Sequence, residues 1–162
     1  MATQRFSTDP SEFATKRVLV TGGTKGMGEA IVQRLTAGGA RVATTARSPS
    51  PDGQKVELFV QADVATPEGV EKVVGEVLNR FGGVDILVNC VGGSSAPSGG
   101  VLALSDEDWQ DAINTNLFAA VRLDRRLLPG MVKQGSGVIV HISSIQRRFS
   151  KRRSSMQPPR RH

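Results

Sequence analysis

The sequence predicts an α/β fold, a doubly wound parallel sheet with helices on both faces. Two observations carry that prediction. Short β-branched runs alternate with amphipathic stretches in the order strand, helix, strand, strand, helix, strand, helix, strand. The runs are continuous rather than alternating in hydropathy, as expected of strands buried on both faces by crossover helices.

The elements justify themselves in order. Residues 1–15 are polar, contain Asp9-Pro10 and show no periodicity, which predicts a flexible N-terminal arm. Arg17-Val18-Leu19-Val20-Thr21 is a short β-branched run ending at glycines, a buried strand. Residues 26–38 carry Met27, Ala30, Ile31 and Leu35 at helical spacing and end at Gly38-Gly39. Residues 41–46 and 55–61 read as the second and third strands, separated by a Ser/Pro/Asp/Gly loop.

Thr66-Pro67 is an N-cap followed by a first-turn proline. Behind it Val70, Val73, Val74, Val77, Leu78 and Phe81 recur in steps of three and four up to Gly82-Gly83, the cleanest amphipathic helix of the chain. Residues 84–88 predict a fourth strand, and 92–100 a Gly/Ser/Pro loop. Ser105, with Asp108 three residues on, caps a long helix whose buried side is expected to hold Trp109, Ile113, Leu117, Ala120, Val121 and Leu128. Trp109 is read as a core anchor of that helix. Residues 137–142 predict a fifth strand, built to be interior, with His141 packed within it.

Charge separates the chain into two parts. The net charge is +6, but residues 147–162 hold six arginines, one lysine and no acid, while the remainder holds 14 basic against 15 acidic residues. The globular part is therefore nearly neutral, which argues against a specific nucleic-acid surface. Residues 147–162 have no apolar period and two adjacent prolines, and are expected to be a basic, disordered tail. Their composition reads as a frameshift after Arg148, with a selected basic tail as the alternative. The expected domains are thus the arm 1–15, a nucleotide-binding domain over 16–146, and the tail 147–162. Cys90, the single cysteine, cannot form an internal disulfide, and no apolar run reaches the roughly 20 residues of a membrane span. The expected setting is cytoplasmic, with no membrane partner and no metal, because no Cys/His/carboxylate set has metal spacing. Cys90 is expected to be a small buried side chain.

The chemistry begins at Thr21-Gly22-Gly23-Thr24-Lys25-Gly26-Met27-Gly28, between a strand and a helix. Glycines let the backbone turn sharply and approach a pyrophosphate closely, and the helix N-terminus offers unpaired N–H groups to it. Placed at the start of a βαβ unit, such a loop is a Rossmann-type phosphate-binding signal. Its spacing is G-x-x-x-G-x-G and resembles the T-G-x-x-x-G-x-G signature of the short-chain dehydrogenase/reductase family. The resemblance continues in order. Asp63-Val64 follows the third strand, where the family holds the adenine ring. Asn89-Cys90-Val91-Gly92 is similar to its N-N-A-G element. Asn116, within Asn114-Thr115-Asn116, resembles its catalytic asparagine, and Ser144, in Ser143-Ser144, its catalytic serine.

The resemblance implies hydride transfer between a nicotinamide dinucleotide and a small carbonyl or alcohol substrate. It implies cofactor contacts at Thr21, Gly22, Thr24, Lys25, Gly26, Met27, Gly28, Arg47, Asp63, Val64, Asn89, Val91 and Gly92, with Ser144 and Asn116 catalytic. The second strand ends Ala46-Arg47-Ser48 without a carboxylate, and Arg47 with Lys25 can meet a 2′-phosphate, so NADP(H) is expected over NAD(H). The family's proton donor is a tyrosine with a lysine four residues later. The sequence contains no tyrosine, so the chain is expected to be inactive by itself. The family's last strands, with much of its oligomer interface, are also expected to be missing. A non-catalytic NADP-binding fragment is the main alternative, and a basic-tailed interaction module a weaker one.

Overall fold

The computed structural model describes residues 9–50, 55–97 and 99–143. Ser144 and the tail 147–162 lie outside the described residues. Five strands, β1 (Arg17–Thr21), β2 (Arg41–Ala46), β3 (Leu58–Gln61), β4 (Ile86–Asn89) and β5 (Val138–His141), form one sheet in the order β3-β2-β1-β4-β5. All four pairings are parallel. The crossovers are α1 (Gly26–Ala37), α2 (Pro67–Phe81) and a long helical unit from Ser105. That unit comprises α3 (Asp106–Ile113), a π turn (Asn114–Phe118) and α4 (Ala119–Gln134).

Alternate residues of β1 serve opposite layers, which is the doubly wound plan. Val18 and Val20 pack with Val32 and Leu35 of α1, together with Val42 and Val88. Leu19 packs with Ala43, Val60 and Leu87 against Val73 and Val77 of α2 and Leu123 and Leu127 of α4. β1 is buried over residues 18–21, and the Val, Leu and Thr runs of β1 and β2 are continuous because both faces are covered.

Helix α2 follows its sequence closely. The Thr66 hydroxyl accepts from the Gly69 N–H at 3.0 Å, and Gly82 ends the helix at φ +73°. Ser105 and Asp108 make a reciprocal capping box at the start of α3.

Several expectations are corrected. β3 begins at Leu58 rather than 55, because Glu57 turns its carboxylate to Arg41 and Arg80. β4 runs Ile86–Asn89, two residues later than the hydropathy suggests at its start, since Asp85 is committed to Arg17. Residues 9–15 are not a loose arm. The Phe13 N–H donates to the Gly38 carbonyl at 2.7 Å, its ring packs against the α1 layer, and Glu12 pairs with Arg34. The long helical unit buries Ala119, Leu123, Leu127 and Met131, while Trp109 is 48% exposed and Ile113, Leu117 and Leu128 are exposed with it. The π turn inserts a residue and rotates the stripe, so a constant helical period chose the wrong face. Trp109 is therefore no core anchor. β5 is exposed along most of its length, and His141 is half exposed.

Candidate functional site

A cleft of about 650 Å³ opens at the C-terminal ends of the strands, where chain order reverses between β1 and β4. Such a switch point is the expected ligand site of an open α/β sheet. Gly22, Thr24, Lys25, Met27 and Gly28 form one wall, and Arg47, Ser48 and Pro49 continue it beyond β2. Asp63 and Val64, then Val91, Gly92 and Gly93, complete the floor.

The glycine loop is shaped for close approach. Gly22 sits at φ +70°, and a Cβ on Gly28 would lie 2.2 Å from the Gly22 carbonyl oxygen. The loop and the first turn of α1 are thus locked together by the absence of side chains. The N-cap residue Lys25 supplies no side-chain hydrogen bond to α1, so the first-turn donors of that helix face the cleft region without a protein cap. A pyrophosphate fits this arrangement of donors, and the two cations Lys25 and Arg47 line the same cleft.

The sequence also expects Thr21, Gly26 and Asn89 at the cofactor; Thr21 and Asn89 are buried beside the lining residues of the cleft, and Gly26 is exposed at the loop–helix junction. The Thr21 hydroxyl, buried, accepts from the Cys90 and Val91 N–H groups at 3.0 and 3.2 Å. It fixes the end of β4 to the end of β1. Gly26 provides the positive φ at the loop–helix junction. Asn89 is buried and donates to the Asp124 carboxylate at 2.9 Å, tying β4 to α4.

Asn116 lies on the π turn. Its amide oxygen accepts from the Gly93 N–H at 2.9 Å, and its amide nitrogen donates to the Gly93 and Ala112 carbonyls at 2.7 and 2.9 Å. It clamps the loop after β4 against the helix. The expected partner Ser144 is outside the described residues. Cys90 lines the cleft and is only partly buried, and burial pushes its thiol up, away from the reactive thiolate. His141 places Nε2 3.4 Å from the Asp124 carboxylate. No group of three His, Cys or acidic residues placed to hold a metal occurs among the described residues. Among them no helix is long and apolar enough to cross a membrane.

Sequence reasoning missed one wall. Asp108, Asp111, Ala112 and Thr115 line the cleft from α3 and the π turn. Their spacing of three and four residues is one helical face, and its small and polar character was the available signal.

Fold and site together define a Rossmann-type α/β domain with its cleft at the switch point. A family model described as short chain dehydrogenase matches residues 16–155. The chain belongs to that family. A 3-oxoacyl-[acyl-carrier-protein] reductase from Vibrio cholerae is 35% identical over 136 residues, covering 80% of this chain and 55% of that protein. Another, from Mycobacterium avium, is 38% identical over 135 residues, covering 82% of this chain and 51% of that protein. The crystal structure of L-sorbose reductase from Gluconobacter frateurii, complexed with NADPH and L-sorbose, superposes with a TM-score of 0.75 at 37% identity. That match covers 84% of this chain and 55% of the reductase. The chain thus spans about half the length of these relatives.

Proposed function

We propose that the cleft binds NADP(H) in preference to NAD(H), as the cofactor site of a hydride-transferring oxidoreductase. The observation that carries this reading is the pairing of Lys25 and Arg47 along one cleft wall, with no carboxylate at the end of β2 to repel a 2′-phosphate. The glycine loop and the uncapped N-terminus of α1 hold the pyrophosphate. The backbone around Asp63 and Val64 receives the adenine, and Arg47 forks onto the 2′-phosphate. Bound there, the nicotinamide would supply or accept a hydride. The complex of L-sorbose reductase with NADPH and L-sorbose supports the choice of dinucleotide and a carbonyl or alcohol as substrate class. A reducing, cytoplasmic setting suits the free Cys90.

In the proposed reaction Asn116 orders the loop at Gly93, and Ser144 positions the substrate oxygen. Neither can deliver a proton at neutral pH as a tyrosine does, and the sequence contains none. The 162 residues by themselves are therefore a cofactor-binding unit without turnover. Titrating NADPH and NADH at one fixed salt concentration tests the reading. Tighter NADPH binding, lost selectively in Arg47→Ala, is expected. Equal affinities, or tighter NADH, would overturn it.

A further inference from the structure

Among the described residues, Arg122 is held unlike the ion-paired arginines. Arg17, Arg34, Arg41, Arg80 and Arg126 each meet a carboxylate, whereas Arg122 has no carboxylate partner among the described residues. It is half-buried on α4 and gives its fork to two neutral oxygens. Nη1 donates to the Ala65 carbonyl at 2.7 Å and Nη2 to the Asn114 side-chain carbonyl at 3.1 Å. Its guanidinium carbon lies 5.1 Å from the centroid of the Phe118 ring.

The two acceptors each adjoin a different side of the cleft, Ala65 next to Val64 of its floor and Asn114 next to Thr115 of its helical wall. Ala65 follows Asp63-Val64, and its own N–H donates to the Asp63 carboxylate at 3.0 Å, so the turn bearing Asp63 is one rigid piece. Asn114 opens the π turn, whose Thr115 lines the cleft and whose Asn116 clamps Gly93. The π turn is what brings Arg122 into register. In an uninterrupted helix, residues eight apart are offset by about 80° around the axis, given about 100° per residue. One inserted residue makes the spacing act as seven, an offset of about 20°, which puts Asn114 and Arg122 on one face. The side chain then runs back toward the helix N-terminus, the direction favoured in helices.

We propose that Arg122 is a positioning residue for the dinucleotide cleft, bridging the Asp63–Ala65 turn to the π turn and fixing the separation of the two walls. The proposal rests on the reading that this cleft takes NADP(H). Removing the bridge lets the two walls part, so the cost falls on ligand affinity more than on the fold.

The test titrates NADPH, and separately adenosine 2′,5′-bisphosphate, against the intact chain, with melting curves of the ligand-free proteins alongside. Arg122→Met is expected to weaken both ligands about tenfold, the scale of a charge-assisted bond lost. Arg122→Lys reaches one oxygen but cannot fork, and is expected to lose about threefold. Asn114→Leu removes one arm, and combining it with Arg122→Met should cost no more than Arg122→Met alone, as coupled partners do. An arginine that only stabilises the fold would lower the melting temperature, leave the affinity of the folded chain unchanged, and give additive effects. Wild-type affinity in Arg122→Met overturns the proposal. If that variant does not fold, wild-type affinity in folded Asn114→Leu overturns it equally. A parent chain that binds no NADPH overturns the cofactor reading itself, which is a separate result from tight parental binding that ignores Arg122.

Discussion

Asp85 shows how a single side chain sets a pH limit. The Arg17 guanidinium donates to both of its oxygens, at 2.9 and 2.7 Å, and the Arg17 N–H adds a third bond at 2.8 Å. These hold the carboxyl at about 2, below its ordinary 3.8. A depressed carboxyl pKa contributes stability that is complete above the unfolded value and is lost as pH falls through the folded one. The window therefore runs from just above 3.8 down to about 2, and the contribution is about 2 kcal/mol for a shift of this size. Denaturant titrations of Asp85→Asn are expected to show that loss at neutral pH and convergence with the parent at the acid end of the window. A constant gap down to the lowest pH would refute the assignment. In the cleft, Arg47→Ala is expected to weaken NADPH by about 1–3 kcal/mol and NADH little, the scale of a charge-assisted hydrogen bond. Paired binding isotherms read this directly.

At the scale of elements, legibility in the sequence follows how local the cause is. Helix α2 could be read almost to the residue, because Thr66, Pro67, Gly82 and the valine stripe act within a few positions of one another. Replacing the Thr66 hydroxyl by Thr66→Ala should cost about 1 kcal/mol, the usual worth of such a cap. A shift in urea midpoint with unchanged slope is the check. The glycine loop was legible for the same reason, since its signal is contiguous with β1 and α1. The unit from Ser105 was not. Its capping box is local, but the π turn carries the contact of Asn116 with Gly93, which lies 23 residues away. Without that contact in view, the periodic stripe selects Trp109, Ile113 and Leu117, which are exposed. The α3 wall of the cleft was hidden by the same gap, as was the bridge from Arg122 to Ala65, 57 residues away in sequence.

For the whole molecule, β5 is an edge of the sheet among the described residues, and there Val138 is 52% and Val140 38% exposed. An unpaired apolar edge is a template for intermolecular pairing. Isolated residues 1–162 are expected to associate with rising concentration, and Val140→Lys to suppress this without weakening NADPH. Size-exclusion chromatography across a dilution series measures both, and a parent that stays monomeric at all concentrations would contradict the expectation. The same polypeptide should reduce no ketone or aldehyde with NADPH above a protein-free control. Turnover that disappears in Ser144→Ala would show that a proton donor other than tyrosine serves.

The Thr21 hydroxyl has a consequence in time as well as in space. It is made early in synthesis, yet its partners, the Cys90 and Val91 N–H groups, are translated 69 and 70 residues later. β1 likewise waits for β4, with Val20 opposite Val88. β1 can meet β2, and β2 can meet β3, before β4 has been made. The growing chain cannot tie Thr21 to the end of β4 until that strand has left the ribosome. On the proposed reading of the cleft, NADP(H) is no early template for folding, because Val91 and Gly92 line the cleft beside the glycine loop. It can only trap a sheet whose central strand has already found its most distant neighbour, so rescue of a slow-folding variant by added cofactor should begin only after synthesis has passed Val91.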